Sequence, residues 1–171
     1  MPTYAILGGG GDIGREVVRR LGVRGATALV AGRDPERLTS AAAQAPGSTT
    51  AQLDATDFAA VERCLADARQ LGNGRLDGIA LCVGSILLKP ARATSEAEWQ
   101  AVLATNLTTA FAVVRAAPKV LQEGGSVVFC SSVAATIGLA NHEAIAAAKA
   151  GVEGLSRAAA ASNAPRGIRF N

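Results

Sequence analysis

Four consecutive glycines near the N-terminus constrain the fold of this chain more than any other feature. They follow the apolar run 4–7 and precede apolar residues that recur at the spacing of a helix. Gly9, Gly11 and Gly14 satisfy the pattern G-x-G-x-x-G. A strand, a glycine turn and a helix in this order predict a phosphate-binding turn, because bare backbone and a helix N-terminus together admit a pyrophosphate. A flexible turn without function is the alternative interpretation.

Short apolar runs alternate with helical segments along the rest of the sequence. The predicted strands lie at 4–7, 28–31, a run ending near residue 53, 76–85, 125–132 and 167–170. The segment 95–125 is mostly helical, with a break expected near Thr105 and Asn106, and a further helix is predicted at 140–160. This alternation predicts an α/β fold in which helices cover both faces of a parallel sheet. The length of 171 residues fits one domain.

Composition and charge exclude several classes of function. Hydrophobic residues make up 49% of the chain and aromatic residues 4%, which is typical of helices packed closely on a sheet. The net charge of +3 comes from scattered basic residues, so we expect no nucleic-acid partner. The three cysteines lack metal-ligand spacing, which predicts buried free thiols in a reducing compartment and no metal site. No secretory signal or membrane span is visible, so we expect a cytoplasmic protein.

Charged residues beside the glycine turn and after the second strand bear on the choice of ligand. Asp12 would repel a pyrophosphate unless its carboxylate turns away and caps the following helix, and we expect the cap. Asp34 is predicted to cap the next helix, which begins with Pro35. Arg33 would then be available for a 2′-phosphate, which favours NADP over NAD. The alternative is that Arg33 is a solvated loop cation.

Further segments occur in a familiar order along the chain, namely VAGRDPERL, LDATD, ATNLTTAF, VVFCSS, AAAKAGVEGLSRAAA and APRGIRFN. Together with the glycine turn they resemble the short-chain dehydrogenase/reductase family over essentially the whole sequence. The resemblance implies a Rossmann-like, doubly wound parallel sheet over residues 1–171 that binds NADP, with NAD as the second choice. It also implies hydride transfer between this coenzyme and a small carbonyl, alcohol or enoyl substrate.

The resemblance assigns roles to individual residues. The positions that correspond to coenzyme contacts are Gly8, Gly9, Gly11, Asp12, Ile13, Gly14, Arg33, Asp54, Gly84 and Lys149. Here Asp12 replaces the middle glycine of the family's commoner Gly-x-x-x-Gly-x-Gly turn. The positions that correspond to catalytic residues are Asn106, Ser132 and Lys149. Each polar residue also has a structural alternative: a strand-end turn for Asp54, a helical kink or cap for Asn106, a polar turn for Ser132 and a surface position for Lys149.

The sequence departs from the family at the position of the proton donor. Where the family has a tyrosine, four residues before Lys149, this chain has Ile145, which cannot exchange a proton. His142 lies seven residues before Lys149, the spacing at which the family's enoyl-carrier-protein reductases keep their tyrosine. An imidazole can serve as a general acid near neutral pH. The hypothesis is that His142 replaces the tyrosine; the alternative is a histidine that only caps the helix or faces solvent.

Two other departures qualify the expected activity. Leu-Cys-Val at 81–83 replaces the family's Asn-Asn-Ala, and the family's last strand and its substrate-covering segment are missing after residue 171. We therefore expect that these 171 residues alone reduce nothing efficiently, and a catalytically silent nucleotide-binding protein is the rival interpretation. The resemblance also implies a homo-oligomer, a dimer or tetramer, formed through helices at 98–122 and 142–163. It implies a small-molecule substrate and no membrane partner.

Overall fold

A parallel sheet forms the centre of the molecule in the computed structural model, which describes residues 1–121 and 124–171. The six strands within these ranges are β1 Thr3–Leu7, β2 Thr27–Gly32, β3 Thr49–Gln52, β4 Gly78–Leu81, β5 Gly125–Phe129 and β6 Ile168–Phe170. Their order across the sheet is β3-β2-β1-β4-β5-β6, and every neighbouring pair is parallel. The predicted α/β fold with a parallel sheet is confirmed.

Helices connect the strands and cover the sheet. Within the described residues they are α1 Asp12–Val23, α2 Pro35–Ala42, α3 Phe58–Leu71, α4 Glu96–Leu103, α5 Thr109–Val120 and α6 Glu143–Asn163. Side-chain caps fix the starts of several of them. Asp34 caps α2 and Asp57 caps α3, while Ser95 and Glu98 form a reciprocal capping box at α4. The predicted cap at Asp34 is therefore confirmed.

Apolar clusters lie on both faces of the sheet, as a doubly wound fold requires. One cluster joins the sheet to α1 and α2, and a larger one joins it to α3, α5 and α6. Successive residues of one strand serve both clusters, since Ile6 faces the first and Leu7 the second. The central strands β1, β2 and β4 are therefore largely buried on both sides, which explains their apolar runs, whereas β3 at the sheet edge is mostly exposed.

The predicted break near Thr105 and Asn106 is wrong. The helix continues through one π-helical turn, Ala104–Thr108, that joins α4 to α5. Asn106 is 1% exposed, and its amide nitrogen donates to Val102 O (3.0 Å) and to Ser85 Oγ (3.2 Å). Because tertiary and local partners satisfy this side chain, the helix widens locally without ending.

The continuous helical stretch Glu96–Val120 is long and apolar enough to satisfy the criteria for a membrane span. It is a core helix in this fold, because α5 packs against α3, α6 and the sheet. The helix α6 begins at Glu143 and ends at Asn163, three residues later at each end than the predicted range 140–160. The order of the strands reverses between β1 and β4, which opens a crevice at their carboxyl ends.

Candidate functional site

The glycine turn lies at this crevice, directly after β1. The backbone nitrogens of Gly8 and Gly9 both donate to Ala31 O of β2, at 2.8 and 3.0 Å. Gly8 has a φ of +80°, which side chains rarely tolerate, and a Cβ there would lie 2.7 Å from the Cys82 carbonyl carbon. A Cβ on Gly14 would lie 2.4 Å from Gly8 O. The absence of side chains at Gly8 and Gly14 is therefore a steric requirement of the turn.

The start of α1 corrects the expectation for Asp12. The N-cap is Gly11, and Asp12 is the first residue inside the helix. No side-chain cap is made there within the described part of the chain; the Asp12 side chain is 87% exposed and lies 3.6 Å from Arg15 and 3.7 Å from Arg37. The carboxylate therefore turns away from the turn, as expected, but it pairs with arginines and does not cap. The first amide groups of α1 remain directed at the crevice.

A cleft of about 300 Å³ adjoins the glycine turn at the carboxyl ends of the strands. Its walls come from the turn, the ends of β2 and β4, the loop after β3 and the π-helical turn. The residues that line it include Gly11, Arg33, Asp34, Arg37, Asp54, Cys82, Gly84 and Thr109. The cleft thus occupies the crevice at which doubly wound folds bind ligands.

Charged groups at the far end of the cleft come from β2 and the loop after β3. The Asp34 carboxylate accepts from the backbone nitrogens of Glu36 (3.1 Å) and Arg37 (3.2 Å). It is committed to the cap, whereas Arg33 and Arg37 present guanidinium groups at the cleft wall. This end of the cleft therefore carries two guanidinium groups and the Asp34 carboxylate, whose oxygen is engaged by the first amides of α2.

Asp54 lies on the opposite wall and forms a local turn. Its carboxylate accepts from the Thr56 backbone nitrogen (2.9 Å) and from the Thr56 hydroxyl (2.7 Å). The backbone hydrogen bond, the hydroxyl hydrogen bond and the nearby Arg33 charge hold the pKa of Asp54 below its usual range. Asp54 thus presents an oriented carboxylate at the cleft. It also forms the strand-end turn that the sequence offered as its structural alternative.

Three of the predicted site residues meet at the other end of the cleft. The Lys149 Nζ donates to Cys130 O at 2.7 Å, and the residue is only 8% exposed. A Cβ added to Gly84 would lie 3.7 Å from this Nζ and 3.2 Å from Asn106 Oδ1. Lys149 is therefore not a surface lysine, and burial lowers the pKa of its ammonium group.

Ser132 follows β5 and caps a short 3₁₀ turn. Its Oγ accepts from the Ala134 backbone nitrogen at 3.2 Å, which leaves the hydroxyl hydrogen to donate to another group. The preceding Ser131 is engaged differently, because its hydroxyl donates to Glu153 at 2.7 Å. Of the two adjacent serines, Ser132 is thus the better placed to donate to a ligand.

His142 occupies the N-cap position of α6, but its side chain makes no cap hydrogen bond among the described residues. The ring Nδ1 lies 2.7 Å from Ala140 O. A carbonyl oxygen only accepts, so Nδ1 carries the hydrogen and Nε2 is left for another partner. The alternative that the His142 side chain caps α6 is therefore wrong. The loop before α6 orients the ring through Ala140 O.

Ile145 belongs to the protein core. It is 4% exposed and packs in an apolar cluster with Val102, Ala144 and Ala148. The loop after β4 contributes to the same cluster through Leu87, and the loop is tied to α6 where Lys89 N donates to Asn141 O at 2.8 Å. The position at which the family has its tyrosine is thus filled by packing side chains.

We expect Ile145→Tyr to destabilise the protein and not to create a proton donor. The larger ring would overpack the cluster, at a cost of about 1–3 kcal/mol in the free energy of unfolding. Urea unfolding of the variant measures this cost, and Ala147→Tyr, at an exposed position of the same helix, should change stability by less than about 0.5 kcal/mol. Equal stability of wild type and Ile145→Tyr would show that the side chain does not pack as described.

Other residues of the site were not anticipated. Ser85 brackets Asn106, since its backbone nitrogen donates to Asn106 Oδ1 (3.2 Å) while its hydroxyl accepts from the amide. Arg37 and Thr109 line the cleft. Arg37 lies one helical turn after Asp34, so the predicted cap could have revealed it, whereas Ser85 and Thr109 depend on tertiary packing that no local pattern indicates.

Among the described residues, no group of three or more histidine, cysteine or acidic side chains is placed to hold a metal ion. The polar groups of the site instead fall at two ends of the cleft. Two guanidinium groups lie at one end, and the buried Lys149 ammonium lies at the other. The glycine turn lies at the same cleft, and the first amides of α1 that follow it receive no side-chain cap. This distribution suits an elongated, anionic ligand.

Comparison with known proteins gives a consistent result. The family model described as enoyl-(acyl carrier protein) reductase matches residues 10–171. A short-chain dehydrogenase/reductase, ABA4, of Pyricularia oryzae is 36% identical over 99% of the chain, and the D-threitol dehydrogenase of Mycolicibacterium smegmatis is 33% identical over 97%. The chain spans 66% of the length of each of these relatives.

A solved structure of similar fold is that of a putative dehydrogenase from Burkholderia cenocepacia with bound NADP. The two chains superpose with a TM-score of 0.92 and are 29% identical. The match covers 99% of the present chain and 66% of the Burkholderia chain.

Proposed function

The chain belongs to the short-chain dehydrogenase/reductase family, and we propose that it binds NADP(H) for hydride transfer to or from a small carbonyl, alcohol or enoyl substrate. The observation that carries this proposal is the preformed turn at Gly8–Gly14, where added Cβ atoms would meet backbone. Such a turn would let a pyrophosphate approach bare backbone and the first amides of α1, which no side chain caps. NADPH, when bound, supplies the hydride.

The remaining walls of the cleft fit the rest of the dinucleotide. Arg33, with Arg37 beside it, would pair with the 2′-phosphate, since Asp34 is held in its cap. Asp54 would accept from the adenine amino group, and bare backbone at Gly84 would allow the nicotinamide side to approach Lys149. NAD lacks the phosphate that an arginine recognises, so NADP is the favoured coenzyme.

Lys149 is suited to the nicotinamide ribose. Its ammonium group is buried and already held by Cys130 O, which leaves two of its three hydrogens to donate to ribose hydroxyls. The buried positive charge would also favour loss of a proton from a neighbouring acid. Asn106, fixed by Ser85 and Val102, would support the π-helical turn beside this ammonium group.

The proton that reduction requires would come from His142. Because Nδ1 keeps its hydrogen on Ala140 O, the imidazolium form of the ring would carry its second proton on Nε2, give that proton to a reacting oxygen or carbon, and be left as the neutral Nδ1–H ring. Ser132, whose hydroxyl hydrogen is available, would orient the substrate carbonyl. Ile145 has no part in this arrangement, because it packs in the core.

Arg33→Ala tests the coenzyme assignment without a substrate. Removing a charge-assisted contact to the 2′-phosphate should weaken NADPH binding about 10- to 100-fold, equivalent to about 1.4–2.8 kcal/mol. Binding of NADH, which lacks this phosphate, should change less than about twofold. Nicotinamide fluorescence titrations measure both affinities.

Arg24→Ala is the matched control for this experiment. Arg24 is exposed and lies at the C-terminal end of α1, away from the glycine turn. This variant should bind both coenzymes as the wild type does. An equal loss for NADPH and NADH in Arg33→Ala, or no loss, would contradict the proposed role of Arg33.

A catalytically silent coenzyme-binding protein is the second candidate function. The packing of Ile145 in an apolar cluster favours it, because the family's usual proton donor is absent from this described position. A turnover assay distinguishes a silent coenzyme-binding protein from an active oxidoreductase. A silent protein would bind NADPH normally but oxidise none of it with a broad panel of ketones, aldehydes and enoyl thioesters.

Assembly into a dimer or tetramer, and a cytoplasmic location, stay predictions. The helix α5 presents Phe111, which is 47% exposed and whose ring centroid lies 6.0 Å from that of Phe58. An exposed aromatic ring on a long helix suits packing against a second copy. Sedimentation velocity would measure the state of association.

A further inference from the structure

Cys82 and Cys130 are neighbours on adjacent strands. The register pairs Leu81 of β4 with Phe129 of β5. The residues that follow them are Cys82 and Cys130, so the two cysteines lie side by side. Paired residues of parallel strands project to the same face, with backbones about 4.8 Å apart. A disulfide spans Cα separations of about 4.4–6.8 Å, so the backbone here is compatible with one.

The two thiols also interact directly. A hydrogen bond from the Cys82 thiol, followed by the charge of Lys149, lowers the pKa of Cys130 to about 6. The same interaction and burial raise the pKa of Cys82. Lys149 lies next to Cys130, since its Nζ donates to that residue's carbonyl oxygen at 2.7 Å. The Lys149 ammonium group therefore favours ionisation at Cys130, and the Cys82 thiol lies beside it on the neighbouring strand.

The third cysteine provides a contrast. Cys64 lies in α3 and is 4% exposed in the apolar core, whereas Cys82 and Cys130 are both half-buried. Burial raises the pKa of Cys64 to about 12, so it is an inert thiol. Reactivity toward oxidants should thus separate one cysteine from the other two.

We propose that Cys82, which lines the coenzyme cleft, and its neighbour Cys130 form a peroxide-sensitive dithiol site that oxidation converts to an intramolecular disulfide. The Cys130 thiolate attacks hydrogen peroxide, breaks the O–O bond and becomes a sulfenic acid, and hydroxide leaves. The Cys82 thiol then displaces the sulfenic oxygen as water, and the S–S bond forms. Two electrons pass from the sulfurs to the peroxide, and a reducing thiol reverses the change.

The site couples to the coenzyme through Cys82. This residue lines the cleft, and its backbone lies directly against Gly8 of the phosphate turn, where an added Cβ would be 2.7 Å away. Bound NADPH should therefore shield Cys82 and slow the oxidation. The disulfide should in turn weaken NADPH binding, by at least about tenfold, and by linkage bound NADPH should disfavour the disulfide at equilibrium by that same factor. This coupling, unlike the thiol chemistry, rests on the proposed function.

The experiment treats the chain with stoichiometric hydrogen peroxide and follows intact mass and free thiols. The wild type should lose two hydrogens and fall from its three free thiols to one, and peptide mapping should join Cys82 to Cys130. Cys64→Ser should form the same disulfide. Cys130→Ser should form no disulfide, and Cys82→Ser should stop at a sulfenic acid that dimedone traps.

Three results would overturn the proposal. The first is that all three thiols stay intact under conditions that fully oxidise a small free thiol. The second is a disulfide that involves Cys64, and the third is a disulfide that still forms in Cys130→Ser. NADPH titrations of the reduced and oxidised chain form a separate arm. If the reduced chain binds no coenzyme, the proposed function fails while the mass result still decides the dithiol site.

Discussion

Gly14→Ala is expected to abolish NADPH binding over the measurable range, a loss of at least about 100-fold or 2.8 kcal/mol. The added methyl would lie 2.4 Å from Gly8 O and 2.7 Å from Gly9 Cα. Both atoms are backbone, so the turn itself must move, and the amides that receive the pyrophosphate move with it. The same strain should lower the free energy of unfolding by about 1–3 kcal/mol. Fluorescence titration and urea unfolding measure the two effects.

Gly138→Ala is the control for this variant. No heavy atom lies within 4 Å of a Cβ at Gly138 among the contacts described, and its φ is not in the left-handed region. Affinity and stability should both stay at the wild-type values. If Gly14→Ala binds NADPH as tightly as Gly138→Ala does, the phosphate site does not lie on this turn.

His142→Gln is expected to lower the rate of carbonyl or enoyl reduction by about 100- to 10,000-fold, the range that general acids contribute. Glutamine keeps a donor near Ala140 O but cannot release a proton. The affinity for NADPH should not change, because His142 contacts the substrate and not the coenzyme in this proposal. The rate is measured in a chain that turns over substrate, since the 171 residues span 66% of the relatives' length.

Ala147→Gln controls for the addition of an amide to the exposed face of α6. This variant should retain wild-type turnover. Unchanged turnover in His142→Gln would remove His142 from the reaction. A matching loss of NADPH affinity would instead assign it to the coenzyme site.

Local sequence signals predicted the parts of the fold and the site that depend on neighbours in the chain. The glycine turn and the cap at Asp34 are of this kind, because backbone sterics and hydrogen bonds to the next two or three amides define them. The same local reasoning gave a wrong prediction at Asp12. Its carboxylate was expected to cap α1, but the helix begins one residue earlier than a cap at Asp12 requires, and the carboxylate lies near Arg15 and Arg37.

Residues whose role depends on register or packing could not be predicted in this way. The expected break near Asn106 is absent because Ser85, from the loop after β4, satisfies its side chain. The approach of Cys82 to Cys130 follows from the pairing of β4 with β5, which the apolar runs alone do not determine. The packing of Ile145 likewise requires the fold, whereas its inability to donate a proton was evident from its identity.

Backbone amide NMR during a titration with NADPH tests the central claim most directly. The account predicts saturable shifts at Gly11, Ile13 and Gly14, at the start of α1, and weaker saturation with NADH. Shifts at Arg33 should appear with NADPH and be small with NADH. Saturable binding that leaves the amides of residues 8–14 unmoved, or no binding of either coenzyme, would contradict the account.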